Sequence, residues 1–399
     1  MTSRTAAATG ADPGTAGGAS RRRPRDRRDH VVRHARILFA ERGFHAVRME
    51  DIATAVGVTA RALYRHFPNK YALLAHVSVT GQDTYFAALD AEPGWPELAA
   101  RLVRTNLDDP THSLLWQREA RHLEPAERGP VQRRVVEIAT GVGAVIARDR
   151  DDRPGPVETE TLAWSALAVA ASQGGRPRCD DRLLTAAVLG LGRLPLPGPD
   201  VVGPQPFHRT PEPTSRRERL LHHAATLFRR HGYLGVTLGE IGERAGIHGP
   251  SIYHHFPSKM AILQTLLARL DEWVTLGLLD AQGRGTDPGQ VLDLFGENYV
   301  GLALRFPDLV SVALTESIHL SDADAEARDA GVLVTGWSEL LRAARPELDP
   351  AEAATLVRAA RSGVDDLVRI AHLRSAGIGA QLVATTRTVL ATQVPGTAG

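Results

Sequence analysis

Gly57-Val-Thr-Ala-Arg-Ala-Leu-Tyr-Arg-His-Phe-Pro-Asn-Lys70 is one of two closely similar stretches in this chain of 399 residues. The second stretch reads Gly246-Ile-His-Gly-Pro-Ser-Ile-Tyr-His-His-Phe-Pro-Ser-Lys259. Each stretch ends in one of the only two lysines, and the other 45 of the 47 basic residues are arginine. A lysine in the first turn of a helix, beside free backbone N–H groups, suits a phosphate. This placement predicts that both stretches face a polyanion.

The two stretches belong to a longer duplication. Residues 27–75 align without gaps onto residues 216–264, at an offset of 189 residues, with 17 identities in 49 positions. Solenoid repeats have periods of about 20–50 residues. The longer offset therefore indicates a duplicated domain and predicts two tandem units.

Each copy is predicted to begin with three short helices. Apolar residues recur at helical spacing over 31–39 in one copy and 220–228 in the other. The first helix is expected to end at Gly43 and at Gly232, since a left-handed C-cap is least costly for glycine.

The second helix is expected over roughly 49–55 and 238–244. In the second copy Thr237 and Glu240 form a Thr-x-x-Glu capping box, which marks the start of a helix. Arg48 replaces this threonine in the first copy, so a weaker cap is expected there.

Gly57 and Gly246 then supply a tight turn, and a third short helix is predicted to end at the Tyr-x-His-Phe step in each copy. Helix, glycine-containing turn and helix is the helix-turn-helix arrangement, whose second helix enters the major groove of DNA. The order and spacing resemble the DNA-binding domain of the TetR family of bacterial repressors. The motifs that carry this resemblance are Phe39-x3-Gly43-Phe44, Ile52-Ala53-x3-Gly57-Val58-Thr59, Leu63-Tyr64-x-His66-Phe67 and Lys70-x3-Leu74, together with Phe228-x3-Gly232-Tyr233, Ile241-x4-Gly246-Ile247, Ile252-Tyr253-x-His255-Phe256 and Lys259-x3-Leu263.

The resemblance implies an all-α fold of two TetR-like units, each a three-helix head on a helical ligand-binding and dimerisation body. In that family the residues that match Tyr64, Lys70, Tyr253 and Lys259 touch phosphates, and third-helix residues read base edges. The implied DNA-binding residues are Arg48, Thr59, Ala60, Arg61, Tyr64, Arg65, His66 and Lys70 in the first head, and Thr237, His248, Gly249, Ser251, Tyr253, His254 and Lys259 in the second.

Arg61 and Arg65 would each grip a guanine edge with two hydrogen bonds. The second head has no arginine on its third helix, so the two heads should prefer different DNA sequences. Packing within the head is the alternative role for Tyr64 and Tyr253.

Charge and composition agree with a DNA-binding protein. Residues 21–75 contain 13 basic and 5 acidic residues, and residues 209–264 contain 8 and 4, although the net charge of the whole chain is only +1. Basic character is thus concentrated on the two heads. A single cysteine, Cys179, and the lack of a long apolar stretch or signal region favour a cytoplasmic, nucleoid-associated protein over an exported or membrane-inserted one.

The domain boundaries follow from the motifs and from local composition. Residues 1–26 are expected to be a disordered basic tail; the run from Arg21 to Arg28 acts either as an arm on the DNA or as a non-specific tail. Seven prolines between 194 and 214 predict an extended linker. The predicted domains are heads at 27–75 and 215–264 and helical bodies at 76–193 and 265–399.

The bodies carry a weaker repeat. Trp116-Gln-Arg-Glu119-Ala-Arg-His122 aligns with residues 313–319, which end in Glu316-Ser-Ile-His319. Trp116, Glu119, His122, Glu316 and His319 are candidates for a ligand pocket, with structural ion pairing or surface exposure as the alternatives. The first run resembles that of actinobacterial regulators of lipid or acyl-CoA metabolism, which implies a hydrophobic or acyl-type effector.

These features predict a ligand-released repressor whose two heads act as an internal pseudo-dimer on an imperfect palindrome. A homodimer with four heads, or an architectural protein whose second head serves interaction, are the alternatives. An enzyme is not expected, because the nucleophile-elbow, zinc-protease, Walker and dinucleotide motifs are absent from the sequence. No cofactor is expected, and the adjacent histidine pairs lack the cysteines and carboxylates of a metal site.

Overall fold

The computed structural model describes residues 24–173, 180–208, 211–321, 323–324, 332–375 and 377–394. All regular structure in these residues is helical, which confirms the predicted all-α class with two units. The α-helices of the first unit are α1 (Pro24–Arg42), α2 (Met49–Val56), α3 (Ala60–Tyr64), α4 (Lys70–Leu89), α5 (Trp95–Asp108), α6 (Thr111–Leu114), α7 (Pro125–Arg148), α8 (Pro156–Ala170) and α9 (Asp181–Arg193). A π-helical segment (Leu115–Glu119) and a 3₁₀ turn (Ala120–His122) continue α6.

The second unit repeats this order. Its α-helices are α10 (Arg216–His231), α11 (Leu238–Arg244), α12 (Lys259–Arg284), α13 (Pro288–Arg305), α14 (Pro307–Glu316), α15 (Trp337–Ala344), α16 (Pro350–Leu367) and α17 (Ile378–Leu390). A 3₁₀ turn, Ser317–His319, follows α14 just as the irregular segment follows α6. The equivalence of these two segments agrees with the weak repeat seen in the sequence.

The first two helices of each head form as expected. Gly43 and Gly232 end the first helix at φ values of 80° and 74°, and the second helices occupy 49–56 and 238–244. Thr237 and Glu240 form the complete capping box. In the first head the Asp51 carboxylate accepts a hydrogen bond from Arg48 N at 2.7 Å. One of the two hydrogen bonds of a capping box therefore forms without the threonine.

The third helix forms only in the first head. There Thr59 caps α3, its Oγ1 accepting a hydrogen bond from Ala62 N. In the second head a single 3₁₀ turn, Gly249–Ile252, takes the place of the predicted helix. Gly249 has a φ of +61°, outside the helical region, and Pro250 brings no N–H. The predicted third helix of the second copy is therefore corrected to a 3₁₀ turn.

The last two helices of both units pack together: α8 lies against α16, and α9 lies against α17. Buried side chains of all four helices belong to one hydrophobic cluster. Polar contacts also cross between the units, since Ser362 Oγ donates to Ala168 O at 2.9 Å and Arg358 Nε donates to Gln173 Oε1 at 3.0 Å. The two bodies thus share a single core.

The proline-rich linker lies on the start of α17. Gln381 Nε2 donates a hydrogen bond to Pro197 O at 3.2 Å. Gly379 leaves room for the linker, because a Cβ at this position would lie 1.7 Å from Pro204 O. This contact brings the connection between the units close to the shared core.

Parts of the predicted tail and loops lie outside the described residues. Residues 1–23 are among them, and α1 begins at Pro24, within the basic run from Arg21 to Arg28. Cys179 is also outside the described part of the chain. No helix among the described residues is both long and apolar enough to cross a membrane.

Candidate nucleic-acid interface

The first head presents its predicted base-reading side chains to solvent. Arg61, Arg65 and His66 are exposed on or just after α3, whereas Leu63 between them is fully buried in the head core. Ala60 is half-buried, and the hydroxyl of Thr59 caps the helix. The helix thus buries one face and offers the arginines on the other.

The second head offers a different surface. His248, Gly249, Ser251 and His254 are exposed, and Ile252 is buried beneath them. Because these residues sit on and beside a single 3₁₀ turn, the second head has a shorter reading element and no arginine on it.

Tyr64 is the last residue of α3, and Tyr253 follows the 3₁₀ turn at the equivalent place in the second head. Their exposed fractions are 47% and 63%, so neither ring is buried in its head. Both the phosphate role and the packing alternative for these tyrosines stay predictions. Arg48 and Thr237, at the starts of α2 and α11, are also exposed.

The two lysines make the same unexpected contacts. Lys70 Nζ donates hydrogen bonds to Phe44 O at 2.7 Å and Val47 O at 2.8 Å, and lies 4.2 Å from the centre of the Phe44 ring. Lys259 Nζ donates to Tyr233 O and Val236 O, both at 2.6 Å. Burial lowers the pKa of both lysines, although nearby acidic residues oppose the shift.

An ammonium group has three N–H donors, and two of them are used inside the head. Each lysine therefore ties the turn between the first two helices to the start of the fourth, α4 or α12. One donor remains for a phosphate at the helix N-terminus, where backbone N–H groups also point outward. The phosphate role predicted from the sequence stays a prediction, and a structural role is added to it.

Two buried glutamates attach the heads to the bodies. Glu119 Oε2 accepts a hydrogen bond from Phe44 N, and Glu316 Oε2 accepts one from Tyr233 N, each at 2.8 Å. Glu119 is 1% exposed and Glu316 is fully buried. Each carboxylate thus binds the backbone N–H of the residue whose carbonyl oxygen the lysine binds.

Glu119, His122, Glu316 and His319 meet where the two units adjoin, and we call this cluster the junction. The cavity among them has a volume of about 10 Å³. That volume admits about one water molecule and no larger ligand. The geometry agrees with the alternative role of structural pairing, and the fifth pocket candidate, Trp116, lines a separate cavity.

Two arginines complete the junction, and both come from the first unit. Arg118 Nη2 donates to Phe39 O at 3.1 Å and also to Ala40 O, while Arg118 Nε pairs with Glu119. These carbonyls lie at the end of α1. The arginine therefore neutralises the glutamate and caps the negative end of the helix.

Arg121 does the same for the second head, across the boundary between the units. Its Nη1 donates to Phe228 O at 3.3 Å and Arg229 O at 3.5 Å, at the end of α10. Its Nη2 lies 2.5 Å from Glu316 Oε1. Thr315 stands in the second unit where Arg118 stands in the first, so the second head takes its arginine from the first unit.

Histidines fill the space beside these pairs. His122 Nδ1 lies 3.1 Å from His45 Nε2, and the His122 ring stacks on Phe44 at 5.7 Å. Burial lowers the pKa of His122 to about 2, aided by the positive charge of Arg121. Burial alone would raise the pKa of Glu316, but hydrogen bonds from His319, Thr315 and Tyr233 N, with the charge of Arg121, lower it to about 2.

Sequence reasoning missed the role of Arg118 and Arg121. A signal was present, because the weak body repeat keeps Glu and His at matching places but replaces these arginines by Thr315 and Ile318. Both copies keep the glutamate, but only the first copy keeps the neighbouring arginines. This difference indicates that the glutamate of the second copy pairs with a cation elsewhere in the chain. Among the described residues, no group of three or more metal-binding side chains is found.

Comparison with known proteins matches both heads to one family model. The model described as "Bacterial regulatory proteins, tetR family" matches residues 31–77 and 220–266. The repressor KstR2 of Mycolicibacterium smegmatis is 40% identical over 112 residues, which cover 28% of this chain and 54% of that protein. The activator FasR of the same organism is 44% identical over 77 residues, 19% of this chain and 35% of that protein. The chain thus spans about half or less of the length of these relatives.

Solved structures of similar proteins cover less than half of this chain. KstR2 of Mycobacterium tuberculosis is 24% identical, with a TM-score of 0.37, and the match covers 47% of this chain and all of that one. AibR, solved in complex with isovaleryl coenzyme A and operator DNA, is 19% identical with a TM-score of 0.36; the match covers 41% of this chain and 97% of that one.

Proposed function

Because this chain belongs to the TetR family in a tandem form, with the family's DNA-binding domain present twice, we propose that it is a ligand-responsive transcriptional repressor. In this proposal one chain supplies the two DNA-binding heads that a dimer takes from two subunits. The observation that carries this proposal is the packing of α8 and α9 against α16 and α17 within the chain. Regulators that read DNA as two-fold dimers place two heads on half-sites about one helical turn, ~34–36 Å, apart or at multiples of that spacing. Here a single chain supplies both heads.

The shared core supports the pseudo-dimer. Side chains such as Leu162 and Ala166 of α8 are fully buried in the same cluster as Leu356 and Ala359 of α16. These helix faces are already buried between the two bodies of one chain, so a second copy cannot pair through them. A homodimer with four heads would need another surface.

The difference between the heads supports an imperfect palindrome. Arg61 and Arg65 suit guanine edges, which accept two hydrogen bonds from one guanidinium group. The second head offers His248 and His254 to the equivalent half-site, and an imidazole ring does not form this paired contact. Each half of the operator should therefore carry its own sequence.

Ligand control follows from a shift between two arrangements of the heads. A small molecule that binds better to the arrangement with low DNA affinity weakens DNA binding by its difference in affinity for the two arrangements. The acyl-type effector implied by the sequence remains a proposal, as does repression over activation.

The test is selection of bound DNA from a random pool, combined with the mass of the chain by light scattering. We expect a mass near 43.0 kDa and an operator with two unlike halves. The double variant Arg61→Ala/Arg65→Ala should lose the preference in one half, and Tyr253→Ala/His254→Ala should lose it in the other. A symmetric motif that survives both variants, with a mass twice that of the chain, would contradict the pseudo-dimer.

A second candidate function is favoured by the 3₁₀ turn of the second head, Gly249–Ile252. In this candidate the second head serves interaction and only the first head reads DNA. Tyr253→Ala/His254→Ala would then leave operator affinity unchanged.

A further inference from the structure

A cavity of about 820 Å³ lies in the second unit, where its head meets its body. Leu221 and Ala225 of α10 line the cavity from the head, and Leu266 and Trp273 of α12 line it from the body. Phe306, between α13 and α14, adds a further wall. Small-molecule sites in proteins have volumes of about 300–1,000 Å³, so the cavity has room for a small molecule that touches head and body at once.

A polar network occupies the equivalent place in the first unit. Arg36 of α1 pairs with Asp109 and contacts His112, whose Nδ1 lies 3.4 Å from Thr84 Oγ1. Residues correspond between the units at an offset of 189 up to the long fourth helix and of 197 from Asp109 onward. The counterparts in the second unit are therefore Ala225, Phe306, Leu309 and Trp273. One small and three large apolar side chains thus stand where the first unit has charged and polar ones.

Five arginines surround these apolar walls, and two of them are paired. Arg229 Nε lies 2.5 Å from Asp308 Oδ1, and Arg269 donates two hydrogen bonds to Glu218, at 2.6 and 2.8 Å. Glu218 and Asp308 are the two acidic residues on the walls, so both are already occupied. The arginines that pair with no carboxylate of the described chain are Arg230, Arg305 and Arg374.

The three unpaired guanidinium groups are accessible to a ligand. Arg230 and Arg305 are exposed, and Arg374 is half-buried. They come from α10, from the end of α13 and from the segment before α17, so they approach the cavity from three separate elements. Five arginines against two carboxylates give the walls an excess of three positive charges, which attracts an anion.

Aromatic side chains make the inner surface suitable for an apolar body. The Phe306 ring lies 4.5 Å from that of Trp273 and 5.4 Å from that of Phe207, which belongs to the linker. Phe207 is still 40% exposed, although it lines the cavity. An apolar ligand in the cavity would cover this ring and remove its apolar surface from water, which is favourable.

Resting on the proposed function of a ligand-responsive regulator, we propose that this cavity binds one amphipathic anion per chain, with an apolar tail that ends in a carboxylate or a phosphate. The tail lies against Trp273 and Phe306, and the anionic group meets the unpaired arginines. Because α10 forms one wall, the ligand contacts the second head and not the first. It therefore acts on one half of the operator.

The experiment is calorimetric titration of the full chain, without DNA, with decanoate and decyl phosphate below their micelle concentrations. We expect one molecule bound per chain, and the tighter of the two identifies the anionic group. Decan-1-ol keeps the tail without the charge and should bind at least about ten-fold more weakly, because charge-assisted hydrogen bonds are lost. Acetate and inorganic phosphate keep the charge without the tail and should bind more weakly still, since they bury little apolar surface.

Variants of the walls test the two parts of the site separately. Arg305→Gln and Arg374→Gln should each weaken binding about ten-fold, through loss of a charge-assisted hydrogen bond. Ala225→Arg copies the residue of the first unit into the cavity and should abolish binding by occupying the space of the tail. Arg104→Gln is the matched control, because Arg104 is an exposed arginine of α5, the helix equivalent to α13, and does not line this cavity.

Thermal melting of each variant shows whether it folds, and the two glutamine variants change accessible side chains only. Absence of binding heat for both amphipathic anions at millimolar concentration would overturn the site. Binding of decan-1-ol as tight as that of decanoate and decyl phosphate would overturn the role of the arginines, and so would equal weakening by Arg104→Gln.

Operator binding separates this inference from the proposed function. If the chain binds its selected operator but neither amphipathic anion, the site is wrong and the regulator remains. If the chain binds an anion but selects no DNA, the proposed function fails and the binding site stands.

Discussion

Arg121 and Glu316 form an ion pair across the two units, with 2.5 Å between Nη2 and Oε1. The carboxylate is fully buried and the guanidinium side chain is 15% exposed. In the first unit the equivalent glutamate, Glu119, pairs with its own neighbour Arg118. The first unit therefore neutralises its buried glutamate with its own arginine. The second unit depends on an arginine of the first unit.

Arg121→Gln should loosen the second head selectively. Removing one partner of a buried ion pair leaves the other charge uncompensated, at a cost of about 3–5 kcal/mol in the free energy of unfolding. Hydrogen exchange read by mass spectrometry should show faster exchange in α10 and little change in α1. Arg118→Gln is the matched control and should have the opposite pattern. Equal exchange in both heads for both variants would count against the cross-unit role.

The buried His122 should make stability fall in mild acid. Its pKa is lowered from 6.5 to about 2, mainly by burial, so the folded state keeps it neutral while the unfolded state takes up a proton below pH 6.5. Its contribution is therefore complete above pH 6.5 and is lost as the pH falls below it, by about 1.4 kcal/mol per pH unit. Glu316, with its pKa lowered from 4.5 to about 2, adds to this loss only below pH 4.5.

Urea unfolding between pH 7.5 and 5 checks this expectation. The free energy of unfolding of the wild type should decline more steeply with falling pH than that of His122→Asn, which lacks the titrating ring. Parallel lines for the two proteins would show that His122 is not held neutral in the folded state.

The heads could be predicted from the sequence because their signals are local. Gly43 and Gly57, the Thr237–Glu240 capping box and the apolar spacing each depend on neighbours within a few residues. The third helix of the second head was predicted wrongly although its signals are local as well. Its motif matched, but Gly249 and Pro250 weaken a helix of only one turn, and the motif gave these backbone effects too little weight.

The junction could not be predicted, because its contacts join residues far apart in the chain. Arg121 and Glu316 are separated by 195 positions, and their pairing depends on how the two bodies pack. The sequence places a Glu and a His at the same spacing in both units, but spacing alone does not distinguish a ligand pocket from a structural pair. The cavity beside Trp116 likewise arises only from the packing of both units.

The lysines should prove to have two roles. In Lys70→Met/Lys259→Met the four backbone carbonyls lose the donors that now bind them, at about 1–3 kcal/mol for each lysine. If the remaining donor of each lysine binds a phosphate, the salt dependence of operator affinity, as the slope of log K against log salt, should also fall by about 0.9 per lysine. Lys70→Arg/Lys259→Arg separates these roles, since it keeps the charge on a planar group that fits the two carbonyls poorly. An unchanged salt slope in a folded methionine variant would leave the lysines with a structural role alone.

Arg61 and Arg65 should specify bases in one half of the operator. Arg61 is exposed on α3 and Arg65 is exposed just after it, and a bidentate contact to guanine is worth about 1–3 kcal/mol of discrimination. Arg61→Ala and Arg65→Ala should each relax the preference at one base pair of that half and leave the other half unchanged, as measured by competition between operators with single substitutions. His254→Ala is the matched change in the second head and should act only on the opposite half. A uniform loss of affinity over all substituted operators would instead assign the arginines to the phosphate backbone, because phosphate contacts carry no sequence information.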